Sequence, residues 1–310
     1  MNDYMAVILG IICAGIGGDL LVRGAVGLAF WARVSPGIIG VTVVAFATSS
    51  PELSVAVNAG LAGQPQIALG DSLGSNVVNV ALILAIALVI SGIQCPRDNV
   101  KRDFPVAMSV PVIIGVLMLD GMLSRLDGFL MLSMFLAWLA AAVIEARKQR
   151  GSASGEISGK HRGWLAVLFC IVGLGFLIAA GNLFVSGAQG IAIALGINVF
   201  VIGATIVALG TSTPELATTV IAKLRRHDDI SLGNVLGSNI FNGLFIVAVA
   251  AILSPITISW REVTVALGFG ILVLVCTYPT RGGFIGRWRG FLLLGLYAVY
   301  LATILQFHAA

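Results

Sequence analysis

Residues 72–96, SLGSNVVNVALILAIALVISGIQCP, carry no charged side chain, and neither do residues 230–260 or 163–214. At about 1.5 Å of rise per helical residue such runs match or exceed the thickness of a bilayer's hydrocarbon layer. Inside that layer every peptide group must find its hydrogen bond within the chain, which leaves only helices and closed barrels. Barrel strands alternate apolar with polar residues, whereas these runs are apolar all round. The predicted fold is therefore an all-α integral membrane protein. Composition agrees: of 310 residues 58% are hydrophobic and only 10% charged, with a mean hydropathy of +1.04. A soluble domain of that make-up would lack the residues to solvate its outside.

Apolar runs set against charged or Gly/Pro-rich breaks predict ten transmembrane helices, near 4–24, 36–60, 66–91, 104–121, 127–146, 163–187, 198–222, 230–254, 262–279 and 289–307. With ten spans, alternate loops share a side of the membrane. One side then collects 16 of the 18 Lys and Arg residues, and the other only Arg125 and Arg261. The positive-inside rule places the rich side in the cytoplasm of a cell whose inner (plasma) membrane holds the protein, with both termini outside. The pI of about 9.1 thus reflects orientation, not nucleic-acid binding. The opening MNDYMAVILG has no Lys or Arg before its apolar run and is read as the start of the first span.

The chain is also duplicated. A shift of 163 residues lays 40–79 on 203–242 without a gap, with 20 of 40 positions identical. The register holds upstream, where GDLLVRGAVGLA from Gly18 matches GNLFVSGAQGIA from Gly181. Each copy would hold five spans, an odd number, so the two must cross the membrane in opposite directions as an inverted-topology repeat. The predicted domains are 1–147 (with the repeat block 40–90), a Gly/Ser-rich cytoplasmic linker at 148–162, and 163–310 (with the block 203–254).

Two blocks dominate each copy: ATSSPEL (47–53) against GTSTPEL (210–216), and GDSLGSNVVN (70–79) against GNVLGSNIFN (233–242). Pro51 and Pro214 lack an amide hydrogen, so they are expected to kink their helices and release the carbonyls of Ala47 and Gly210. Thr48 with Glu52, Thr211 with Glu215, Ser75 with Asn79, and Ser238 with Asn242 are each four apart and share a helix face. Four helices can thus aim hydroxyls, amides, carbonyls and two carboxylates at one midplane volume. Oxygen-only donors suit hard cations such as Ca2+ and Na+. A bare carboxylate at the bilayer centre costs at least about 2.5 kcal/mol, and no basic residue lies in spans two, three, seven or eight. The remaining partners are one Ca2+, two Na+ or two protons, and ions that compete for one alternately exposed site are exchanged.

Other roles are open for several of these residues. Gly70, Gly74, Gly233 and Gly237 suit close helix packing, and Ser75, Asn76, Ser238 and Asn239 suit interhelical hydrogen bonds. The hydroxyls of Thr48 and Thr211 can bond their own backbone, and Glu52 and Glu215 can be permanently protonated structural groups. Asp19 and Asp71 have Asn182 and Asn234 as repeat partners; each either lines an ion path or sits at a helix end near water. Cys13, Cys95, Cys170 and Cys276 lack metal spacing and read as inert thiols. His161, His227 and His308 read as surface residues.

The paired TSxPEL and GSNxxN motifs resemble the α-repeats of the calcium/cation antiporter superfamily, in particular the prokaryotic sodium/calcium exchangers. The resemblance covers the ten-span plan and is tightest at 40–90 and 203–254. It implies a central diamond of Glu52, Asn79, Glu215 and Asn242, flanked by Ser75, Ser238, Ala45, Thr48, Ala208 and Thr211. It also implies that helices one and six slide across a steadier core, with three Na+ commonly exchanged for one Ca2+. Some archaeal relatives have Asp where Asn242 stands, so this chain has two carboxylates in the diamond. The linker is too short for a calcium-sensing domain.

The expected function is Ca2+/Na+ antiport through one midplane site, with H+ as the alternative counter-ion. No cofactor is expected, no GxxxxGK[ST] nucleotide loop occurs, and the chain is not expected to be an enzyme. A cation channel using the same ligands, and an intramembrane aspartyl protease using Asp19 and Asp71, are the rival classes. The sequence leaves the oligomeric state open.

Overall fold

The computed structural model describes residues 3–95, 99–152, 163–194, 208–257 and 260–309. It is helical nearly throughout. The first helix, α1 (Asp3–Ala32), is followed by a composite segment of α2 (Pro36–Ile39), a π-helical turn π1 (Gly40–Val44), α3 (Ala45–Thr48) and α4 (Ser50–Leu61). Next come α5 (Pro65–Val78), π2 (Asn79–Leu84) and α6 (Ala85–Ile90), then π3 (Asn99–Asp103) with α7 (Phe104–Leu117), and α8 (Arg125–Ser152). The second half holds α9 (Gly163–Ala194), α10 (Ala208–Thr211), α11 (Thr213–Leu224), α12 (Asp228–Ile240), π4 (Phe241–Ile246) and α13 (Val247–Leu253). It closes with α14 (Trp260–Thr277) and α15 (Arg287–Ala309).

Among the described residues five helical stretches are long and apolar enough to cross a membrane, and six if Pro36–Leu61 is one bent span. They form two shells. The stretches Pro65–Ile90 and Asp228–Leu253 are 72% and 83% buried over their most apolar windows, against 33% for α1 and 22% for α8 and α9. The outer helices are therefore the more exposed ones, and most of the surface of the two inner ones is covered by protein. Side chains such as Ile8, Ile11, Phe129 and Ile171 are exposed on that outer shell, where lipid is their solvent.

Two differences from the expected spans have a clear physical origin. First, the segment around Pro51 is broken, not kinked: α3 ends at Thr48, Ser49 leaves the helix, and the two parts meet at 46°. Pro51 sits in the first turn of α4, where no intrahelical partner is needed for its missing N–H. The carbonyl of Ala47, expected to be free, accepts the Ser50 hydroxyl at 2.6 Å. Second, α8 continues to Ser152, so the stretch expected as linker from 148 begins as helix, and 153–162 lie outside the described residues.

Small residues set the closest approaches. A Cβ on Gly17 would meet the Gly173 carbonyl oxygen at 2.8 Å, one on Gly24 the Ala166 carbonyl at 2.8 Å, and one on Gly187 the Asp3 carbonyl at 2.6 Å. Positions rising along α1 thus meet positions falling along α9, so the two run antiparallel. On α12, Gly233 lies against Gly37 and Val41, and Gly237 against Val41 and Ala45. At the ends of the bundle two short antiparallel ladders tie loops together: Ile93–Gln94 (β1) with Phe284–Ile285 (β4), and Met122–Leu123 (β2) with Ile256–Thr257 (β3). Lys223 is buried at the first of these ends, donating to Asp228 at 2.8 Å and to the Gly92 carbonyl at 2.7 Å. Cys95 is buried nearby. Desolvation, reinforced by Asp228 and opposed by Arg289, pushes its thiol up to about 12, which makes it unreactive at neutral pH.

Candidate functional site

The breaks after Thr48 and Thr211 place two helix C-termini and two helix N-termini in the interior. Thr48 and Thr211 end α3 and α10, with their last carbonyls unmatched by the helix; Glu52 and Glu215 lie in the first turns of α4 and α11. Free carbonyls at a helix C-terminus attract cations, and amide groups at an N-terminus hold carboxylates in place. The wide turns π2 and π4 fall beside Asn79 and Asn242, on the two innermost stretches. Such turns let a side chain leave the register of a regular α-helix, and they recur at functional sites.

Glu52, Glu215, Asn79 and Asn242 are all 0% exposed, and Ser75 and Ser238 no more than 1%. The Ser49 hydroxyl, from the helix break beside Glu52, donates to Glu215 Oε1 at 2.8 Å, and Ser238 approaches the same oxygen at 3.4 Å. Asn79 donates to Asn239 Oδ1 at 3.1 Å. The structure therefore gathers residues from both halves in one buried region.

Many polar atoms there have no hydrogen-bond partner. Both carboxylate oxygens of Glu52, Oε2 of Glu215, Oδ1 of Asn79, both side-chain polar atoms of Asn242 and the hydroxyls of Ser75 and Ser212 are buried without one among the described residues. A buried polar group left unpaired costs about 1–3 kcal/mol, and more if charged, so such a concentration is the mark of a site for a ligand. Most of these atoms are oxygen acceptors, which is the donor set of a hard cation.

The other residues read from the sequence divide clearly. Asn76 and Asn239 hold each other: each side-chain amide donates to the other's backbone carbonyl at 3.1 Å. The Thr48 hydroxyl has Asn234 Oδ1 at 3.1 Å and the Ala45 carbonyl at 3.3 Å as acceptors. Ala45 is buried in the first turn of α3; Ala208 opens α10 and Thr211, half-buried, ends it. Asp19 is paired with Arg23 at 2.8 Å and with Arg225, as befits a residue near water. Asp71 is half-buried, with one oxygen shielded and unpartnered. His227 precedes α12, half-buried, and His161 lies outside the described residues. Ser49 and Ser212 are not among the residues the sequence singles out. Their position between the ends of two helices is the signal that would have found them.

The sequence pattern of the sodium/calcium exchanger protein family matches residues 3–144 and 165–306. The chain belongs to that family, and is thus a membrane-spanning transporter and not an enzyme. Inner membrane protein YrbG of Escherichia coli (strain K12) is 32% identical over 310 residues, covering 96% of this chain and 95% of its own. Sodium/calcium exchanger MaX1 of Methanosarcina acetivorans is 28% identical over 343 residues, covering 97% and 98%. A solved structure of the sodium-calcium exchanger NCX_Mj superposes with a TM-score of 0.82 at 32% identity, over 97% of this chain and 98% of that one.

Proposed function

We propose that the protein is a secondary antiporter that exchanges Ca2+ for Na+ by alternating access at one midplane site. Family membership supports Na+ and Ca2+ as the transported ions. The observation that carries the reading is the buried cluster of unpartnered oxygens on Glu52, Glu215, Asn79, Asn242 and Ser75. Glu52 and Glu215 supply the charge, Asn79 and Asn242 complete a diamond of oxygen donors, and Ser75, Ser238, Ser49 and Ser212 flank it. The carbonyls of Ala45 and Thr48, and of Ala208 and Thr211, extend the donor set toward either side. One Ca2+ cancels two carboxylates, and so do two Na+. A site charged in either way is neutral and can move; an empty one retains a repelling pair.

We read the chain as ten spans in two five-span halves, 1–147 and 163–310, joined by the linker 148–162. The antiparallel run of α1 against α9, which are repeat equivalents, supports opposite orientation of the halves. Those two helices meet through glycine and few large side chains, which suits sliding over the inner shell. In the proposed orientation the basic-rich ends lie in the cytoplasm, both termini lie outside, and the membrane is the plasma membrane.

The test is uptake of radioactive Ca2+ into proteoliposomes driven by an outward Na+ gradient. Glu52→Gln or Glu215→Gln is expected to reduce it to background. Uptake at the wild-type rate in either variant overturns the assignment. Proton coupling stays the second reading because, with Asn242 neutral, two protons balance the site as well as two Na+ do. Uptake that follows an imposed pH gradient in the absence of Na+ decides for it.

A further inference from the structure

A cavity of about 290 Å3 lies where α1 and α9 meet the turn between α11 and α12, away from the buried cluster of oxygens. Its lining is of two kinds: apolar Val26, Leu165 and Phe169, and the nitrogen-bearing side chains of Arg23, Arg225 and His227. Charge is unbalanced there. Asp19, one turn before Arg23 on α1, pairs with Arg23 at 2.8 Å and with Arg225, and among the described residues no other carboxylate pairs with either arginine. One carboxylate thus serves two guanidinium groups, and a net positive charge is left over. The acids that follow His227 do not cancel it: Asp228 is taken up by Lys223, and Asp229 accepts the Ile230 amide. Each guanidinium carries five N–H donors, more than its share of Asp19 can accept. With side-chain exposures of 54% and 40%, both can be reached from outside.

The duplication shows that the repeat plan does not require these charges. At the matching places in the other copy, Asn182, Ser186, Ala62 and Gln64 stand for Asp19, Arg23, Arg225 and His227, and none of the four is charged. Arg23 lies at the end of the first predicted span, 4–24, the level at which hydrocarbon gives way to headgroups. Beside the cavity, Val167 and Leu168 of α9 are exposed on the outer shell, where the solvent is lipid. A ligand seated here therefore meets guanidinium groups and hydrocarbon together. A free phosphate has no use for the apolar lining, and a zwitterionic headgroup brings a cation of its own toward the surplus positive charge.

We infer that this cavity binds a phospholipid with a net negative headgroup, its phosphate held by Arg23 and Arg225 and the upper part of an acyl chain resting on Val26, Leu165 and Phe169. The phosphate and Asp19 compete for the same guanidinium groups. Bound lipid thus loosens the tie that Asp19 makes between α1 and α11. The inference concerns a site apart from the ion cluster and stands whether or not the protein exchanges Ca2+ for Na+.

The experiment is native mass spectrometry of the full-length protein in detergent, with phosphatidylglycerol, phosphatidylcholine or inorganic phosphate added in turn. Phosphatidylglycerol is expected to bind more tightly than phosphatidylcholine and to resist displacement by an equal concentration of inorganic phosphate. Arg23→Gln and Arg225→Gln are each expected to weaken phosphatidylglycerol binding roughly fivefold. Arg281→Gln, which removes an exposed charge near the β1–β4 ladder at the same end of the bundle, is expected to leave it unchanged. If the arginine variants do not insert, Asp19→Asn gives the measurement instead: it frees both guanidinium groups and is expected to tighten binding, which the loss of a purely structural ion pair would not do. Equal binding of the two lipids, displacement by inorganic phosphate, an Arg281→Gln effect as large as that of Arg23→Gln, or Asp19→Asn without tighter binding overturns the inference.

Discussion

Asn239 and Asn242 lie one helical turn apart on the same inner stretch, yet they do opposite things. The Asn239 side chain donates to the Asn76 carbonyl and accepts from Asn79, while that of Asn242 bonds to nothing among the described residues. Interhelical hydrogen bonds in membranes contribute about 0.6 kcal/mol each on average, and orphaning their buried partners adds to the loss. Asn239→Ala is therefore expected to lower the midpoint of thermal unfolding in detergent. Asn242→Ala, which removes only unpartnered atoms, is expected to unfold near the wild-type temperature and to lose Ca2+ flux. A matching loss of stability in both variants would refute this division between a residue that holds the fold and one that holds the ion.

Among the elements, the close pair α1 and α9 depends on having no side chain at Gly173, where a Cβ would lie 2.7 Å from the Leu21 nitrogen and 2.8 Å from the Gly17 carbonyl oxygen. Gly173→Val is expected to force the two helices apart and depress both stability and transport. Gly175→Ala, two residues on and facing lipid, has open space around it and is expected to behave as wild type. Thermal unfolding and Ca2+ uptake on both variants check the pair. The composition made the helices legible, because runs without charge have few other solutions; the duplication picked out the two paired blocks, and the family resemblance narrowed them to Glu52, Glu215, Asn79 and Asn242. The break at Ser49 and the π-turns beside Asn79 and Asn242 were not legible. A proline marks where a helix cannot continue unchanged, but whether it bends or separates depends on neighbours such as Ser50, whose hydroxyl takes over the Ala47 carbonyl. A wide turn arises from packing that no local spacing records. Asn76 and Asn239, open between packing and binding in the sequence, are settled by their partner, and that partner lies 163 residues away.

For the molecule as a whole, the ten-span reading collects 16 of the 18 basic residues on one side and so predicts its orientation. With Cys13, Cys95, Cys170 and Cys276 replaced by Ala, a single Ser154→Cys is expected to react with an impermeant maleimide only from the cytoplasmic face, and Asp120→Cys only from outside. The reverse labelling pattern would invert the proposed topology. The mutual grip of Asn76 and Asn239 also bears on how the protein comes into being. Each half carries one amide and one carbonyl whose complement is made by the other, so translation of the first half yields an unfinished surface that must wait in the bilayer for the second. Assembly is a matching of two nearly identical faces, and the last helices to leave the ribosome decide whether the first ones have a home.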